Sequence, residues 1–92
     1  MNSVRAHLFI RGDVTGVGFR YWAVREANKL KIFGWARNID AGLVEIVAEG
    51  KKESIMAMIE ICKRGPETSL VKEVKVKWEE AENELNGFEI RY

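Results

Sequence analysis

The most constraining feature of this chain is an abrupt change of hydrophobic period across three glycines near its start. Val4, Ala6, Leu8 and Ile10 alternate with Arg5, His7, Phe9 and Arg11, the period of two that gives a strand one buried face. Gly12, Gly16 and Gly18 then interrupt the pattern, and from Phe19 onward the apolar positions Phe19, Trp22, Ala23, Ala27 and Leu30 recur at helical spacing. A strand must therefore hand over to a helix within a few residues, through a backbone that only glycine bends easily.

The rest of the chain repeats this alternation. Phe33, Gly34, Trp35 and Ala36 form a short apolar run, Asn38, Asp40 and Gly42 carry turn chemistry, and Val44, Ile46 and Ala48 alternate again. This predicts two strands joined as a hairpin. Ile55, Met58, Ile59 and Cys62 fall at i, i+3, i+4 and i+7 before Gly65 and Pro66, which predicts a second helix and its end. Val74, Val76 and Trp78 mark another strand, and Phe88, Ile90 and Tyr92 a short closing one. The order is βαββαβ plus a short C-terminal strand. It predicts a ferredoxin-like α+β sandwich with two helices on one face of an antiparallel sheet and the other face in water. With 92 residues and no linker or repeat, residues 1–92 are expected to form one domain.

Composition removes several function classes. The net charge is +1 from 15 basic and 14 acidic side chains, so the chain lacks the broad positive field that non-specific nucleic-acid binding exploits. No nucleic-acid partner is expected. Cys62 is the only cysteine, which excludes an intrachain disulfide and leaves no Cys/His metal cluster, so no metal is expected. Residues 1–11 contain Arg5 and Arg11 and no long apolar run, which predicts neither signal peptide nor membrane span and a cytoplasmic location. A monomer is the default expectation.

Residues 12–20 read GDVTGVGFR and join a strand end to the first turn of a helix. Glycines there allow several N–H groups to point at one spot, and the free N–H groups of a helix start favour negative charge. Arg20 adds a permanent charge with a planar fork suited to phosphate oxygens. Two readings stay open from spacing alone: an anion cradle, or a tight turn with a surface arginine. The pattern is neither GxGxxG nor GK[ST], which argues against a dinucleotide or Walker-type site.

GDVTGVGFR, followed by GWARN at residues 34–38, resembles the two signature motifs of the acylphosphatases. EGK at residues 49–51, the Gly65–Pro66 pair and the closing GFEIRY extend the resemblance along nearly the whole chain. The resemblance implies hydrolysis of the carboxyl–phosphate bond of small acyl phosphates without metal or cofactor. Arg20 and the loop of Thr15, Gly16, Val17, Gly18 and Phe19 would bind phosphate, and Asn38 would orient the attacking water. Thr15 stands where the family commonly has Gln and Ala36 where Val is usual. Asp13 is expected to face solvent, because a carboxylate aimed into the cradle would repel the substrate.

The chemistry is consistent with such a small site. An acyl phosphate departs as a carboxylate, which needs no acid to protonate it, so positioning and charge stabilisation suffice. Alkyl phosphate esters would require an acid or metal.

Other residues are read as structural. His7 is expected on the sheet surface, Cys62 as a buried inert thiol, Trp22, Trp35 and Trp78 as packing, residues 72–77 as a solvated strand face, and Glu60–Arg64 as a surface pair. Two other functions compete. The first is a single-stranded RNA binder, since GVGFRYW faintly echoes an RNP1 string, although Phe19 opens a helix rather than lying along a strand. The second is a phosphate- or carbamoyl-binding domain without turnover; the presence of both Arg20 and Asn38 argues against it.

Overall fold

The computed structural model describes residues 3–92; residues 1 and 2, part of the N-terminal segment read as free of a signal peptide, lie outside the described residues. The first strand, β1 (Ser3–Asp13), ends in the glycine loop, and α1 (Phe19–Lys29) follows at once. The remaining elements are β2 (Phe33–Asp40), β3 (Leu43–Lys51), α2 (Lys52–Arg64), β4 (Leu70–Glu79) and β5 (Phe88–Ile90). They form one five-stranded sheet in the order β4-β1-β3-β2-β5.

The alternation in β1 decides which face the helices take. Ala6, Leu8 and Ile10 lie opposite Ala48, Ile46 and Val44 of β3 and, on the other side, opposite Trp78, Val76 and Val74 of β4. With Ala36 of β2 they pave one face, onto which α1 lays Phe19, Ala23 and Ala27 and α2 lays Ile55, Met58, Ile59 and Cys62. Burial of this continuous apolar layer is the main stabilising term, at about 25 cal/mol per Å² of apolar surface. Burial pushes the Cys62 thiol up to about 12, so the sulfur is packing material.

Two expectations need correction. The four longer strands pair antiparallel, but β5 pairs parallel to β2, with Gly34, Trp35 and Ala36 opposite Phe88, Glu89 and Ile90. The reason is the connection: residues 80–87 leave β4 at one edge, cross the end of the sheet and enter the far edge from the side where β2 begins. Tyr92 lies beyond the strand and is exposed.

The helix-free face is also not simply solvated. Glu45 and Glu49 are buried there, at 6% and 3% exposure. Cross-strand register supplies their partners: Arg37 bonds Glu45, Arg5 meets Glu49, and the Glu49 carboxylate accepts the amides of Glu82 and Asn83 at 2.9 and 3.2 Å. His7 is on this face as expected, but its two ring nitrogens face Glu45 and Glu79 rather than water. Burial raises the affinity of Glu45 for a proton. The hydrogen bonds and charges of Arg37 and His7 more than offset this, leaving its carboxyl below the ordinary glutamate range. The guanidinium groups of Arg37 and Arg91 lie 5.3 and 4.7 Å from the centroid of the Trp35 ring. On α2, Glu60 pairs with Lys63 at i+3 instead of Arg64, because the lysine reaches it at 2.9 Å. Lys72, Lys75 and Lys77 are exposed along β4 as expected.

Candidate active site

The glycine loop after β1 is held by the segments around it. The Gly12 amide donates to the Gly42 carbonyl at 3.1 Å, and the Gly42 amide donates back to Thr15 Oγ1 at 3.1 Å. The β1–α1 loop and the β2–β3 turn are thus tied together, and the Thr15 side chain is a strut rather than a free group. Gly16 and Gly18 adopt φ 74° and 78°, a left-handed conformation that costs other residues energy. Asp13 is exposed, as expected. Val14 and Phe19 bury their side chains at 1% exposure each and anchor the loop at both ends.

This leaves a row of unused donors. Gly18 occupies the N-cap of α1, where no side chain caps the helix and no acidic residue stands in the first turn. Among the described residues, the amides of residues 15–21 meet no protein acceptor; the first bond of the helix is that of the Trp22 amide to the Gly18 carbonyl. Several N–H dipoles and one helix terminus are therefore concentrated over a few ångströms. Phe19 contributes only its amide, because its ring is in the core.

Arg20 is half-buried in the first turn of α1. The ion pairs of the described arginines involve Arg5, Arg11 and Arg37, so the Arg20 charge is not neutralised by a carboxylate. Its guanidinium carbon lies 5.2 Å from the centroid of the Tyr92 ring.

Asn38 reaches the same end of the molecule through element lengths. The helix α1 has 11 residues, about 16 Å at 1.5 Å per residue; it turns back through Ile32 and packs over β2, which runs antiparallel to it. Asn38 is the sixth residue of β2, about 17 Å from the strand start, so it reaches the end of the sheet at which α1 begins. It lies opposite Val44 on the helix-covered face, and the register slips immediately afterwards, between Asn38 and Asp40. Such bulges end pairing and re-aim side chains. Asn38 Oδ1 is buried and no protein group donates to it, a condition buried polar atoms rarely tolerate without a purpose.

A cavity of about 180 Å³ lies at the opposite end of the sheet, lined by residues that include Lys31, Phe33, Lys51 and Ser54. Among the described residues, no group of three His, Cys, Asp or Glu side chains is placed to hold a metal ion. Nor, among the described residues, is any helix long and apolar enough to cross a membrane.

Fold and geometry together define an α+β sandwich with a row of unpaired N–H groups at the start of its first helix and an unpartnered, buried Asn38 Oδ1 on β2. A family model described as acylphosphatase matches residues 6–90. The chain is 50% identical over 90 residues to an acylphosphatase of Thermococcus kodakarensis, covering 98% of both chains. It superposes on the crystal structure of acylphosphatase from Bacillus subtilis with a TM-score of 0.92 at 36% identity, covering 97% of this chain and 99% of that one. Full-length HypF in its phosphate- and nucleotide-bound form is similar over 99% of this chain but only 12% of its own, with a TM-score of 0.89 at 32% identity. The chain belongs to the acylphosphatase family, the hydrolases of acyl phosphates.

Proposed function

We propose that the unpartnered amides of residues 15–20 and the Arg20 guanidinium hold the phosphoryl group of a small acyl phosphate, and that Asn38 positions the water that attacks it. The observation that carries this reading is the convergence of orphan donors, an unneutralised arginine and an orphan buried acceptor at one end of the sheet. The donors match the equatorial phosphoryl oxygens, where charge is concentrated as the bond to the acyl oxygen loosens. Asn38 Oδ1 accepts one hydrogen of the water and leaves an oxygen lone pair free to face phosphorus. As the new P–O bond forms, the bond to the acyl oxygen breaks, the electron pair leaves on the carboxylate, and a phosphate oxygen takes the proton of the water. Asn38 has no basicity at neutral pH, so it orients and does not deprotonate.

The leaving carboxylate needs no general acid, and the proposed step uses none. Selectivity for acyl phosphates over alkyl or aryl phosphate esters follows. The residues assigned to the site all come from this chain, and none of the proposed steps calls on a second subunit or a cofactor. A cytoplasmic setting fits the single buried thiol, Cys62. RNA binding is disfavoured because Phe19 is in the core and Trp35 is buried, so neither ring is available to a base.

The test is hydrolysis of benzoyl phosphate by the purified protein in the presence of a chelator, beside p-nitrophenyl phosphate. Turnover of the first at least a hundredfold faster than of the second is the expected result. Comparable rates on the two substrates, or no turnover of the acyl phosphate, would overturn the mechanism. Phosphate binding without turnover would favour a binding domain.

A further inference from the structure

The turn between α2 and β4 touches the cradle from the side opposite the β2–β3 turn. At Gly65, which ends α2, an added Cβ would collide with Ser69 Oγ and lie 3.2 Å from Phe19 Cε2, so the turn is seated against the ring that anchors the loop. The Pro66 carbonyl accepts both the Ser69 amide, at 2.9 Å, and the Ser69 hydroxyl, at 2.8 Å. This closes a four-residue turn whose third residue is Thr68. The Thr68 hydroxyl in turn donates to the Val17 carbonyl at 3.0 Å, across 51 residues of sequence.

That bond fixes more than a carbonyl. The peptide joining Val17 to Gly18 is trans, as all peptides of the described chain are, so its C=O and N–H point to opposite sides. Holding the carbonyl toward Thr68 holds the Gly18 N–H away from it, among the orphan amides of the loop. Without this restraint the peptide is free to flip, because Gly18 accepts either sign of φ. A flip would present an oxygen where a donor is needed and would repel a phosphate.

We infer that Thr68 is a positioning residue for the phosphate cradle, its hydroxyl keeping the Gly18 N–H turned to the phosphoryl group through the Val17 carbonyl. This rests on the reading in which the loop amides bind phosphate. Thr68 is exposed, so water competes for the bond and the effect is moderate.

Thr68→Val removes the donor at nearly constant shape, and Thr68→Ser keeps it. For the valine variant, the KM for benzoyl phosphate and the inhibition constant of inorganic phosphate should rise together by about three- to tenfold, the range of one modest hydrogen bond. Its kcat should move less, and the serine variant should stay within about twofold of wild type. In ¹H–¹⁵N spectra, phosphate should shift the Gly18 amide of the wild type and shift it less in Thr68→Val. Unchanged constants in Thr68→Val, or equal losses in the valine and serine variants, overturn the inference while leaving the cradle intact. If phosphate neither inhibits the wild type nor moves the Gly18 amide, the cradle reading fails and this inference falls with it.

Discussion

Arg20 offers the sharpest test, because its charge and its shape can be removed separately. A guanidinium gripping two phosphoryl oxygens makes two charge-assisted hydrogen bonds, each contributing about 1.5–3 kcal/mol. The amides of residues 15–21 are backbone groups and persist in any side-chain variant. Arg20→Ala therefore removes only the arginine share, about 3–6 kcal/mol, which corresponds to a factor of roughly 10²–10⁴ in kcat/KM. Arg20→Lys keeps a charge but not the planar fork, and its activity should fall between wild type and Arg20→Ala. Neither change should unfold the protein. Arg20 has no ion-pair partner among the described residues, and its contact with Tyr92 involves an exposed ring, so Tm should move by about 4 °C or less. The assay is steady-state hydrolysis of benzoyl phosphate, with a thermal melt on the same samples. A kcat/KM for Arg20→Ala within tenfold of wild type, with Tm preserved, would refute the assignment.

Other parts of the structure lead to three further expectations. Asn38→Ala should lower kcat by about a hundredfold, the cost of one preorganised polar group, while the inhibition constant of phosphate changes little; equal changes in both would place Asn38 in phosphate binding instead. Because the Glu45 carboxyl is held below its ordinary value by Arg37 and His7, its contribution to stability is complete above the unfolded pKa of about 4.3 and is lost as pH falls through the lower folded value. Chemical denaturation from pH 7 to pH 3 should accordingly show a shallower acid loss in Glu45→Gln than in wild type, and identical slopes would count against the pairing. Cys62, buried with its thiol at about 12, should resist a disulfide reagent at pH 8 until denaturant is added, and prompt stoichiometric labelling of the native protein would contradict that burial.

Much of this arrangement was legible from period alone. The change from Leu8 and Ile10 at spacing two to Phe19, Ala23 and Ala27 at helical spacing located both the buried face and the loop that opens α1. That Arg20 and Asn38 reach the same end of the sheet is not a property of either loop. It follows from an 11-residue helix folding back over a strand of matching span, and so depends on tertiary packing. The fate of Glu45 and Glu49 was hidden for a related reason. Glutamate at an alternating position reads as solvent-facing, and only the register that sets Arg37 opposite Glu45 and Arg5 opposite Glu49 makes burial tolerable. The parallel pairing of β5 left no local signal, because three residues are too few for periodicity to report direction. Thr68 was equally silent, since an exposed threonine in a turn has no pattern of its own.

These long-range ties bear on how so small a site can work. A donor contributes to catalysis without reorganisation only if it already points at the developing charge. A loop containing three glycines in seven residues would not hold that geometry alone. Here Gly12 and Thr15 are fixed by the β2–β3 turn, Val17 by Thr68 in the α2–β4 turn, and Val14 and Phe19 by the core. The turn that holds Gly12 and Thr15 directly follows the strand that carries Asn38, so the loop amides and Asn38 share one framework. Loosening either tether should reduce catalysis before it reduces global stability. A Thr15→Val variant tests this directly: it leaves the Gly42 amide without its acceptor, and kcat/KM should fall severalfold while the unfolding midpoint stays near that of wild type. A parallel loss of midpoint and activity would show that the tethers merely hold the fold together.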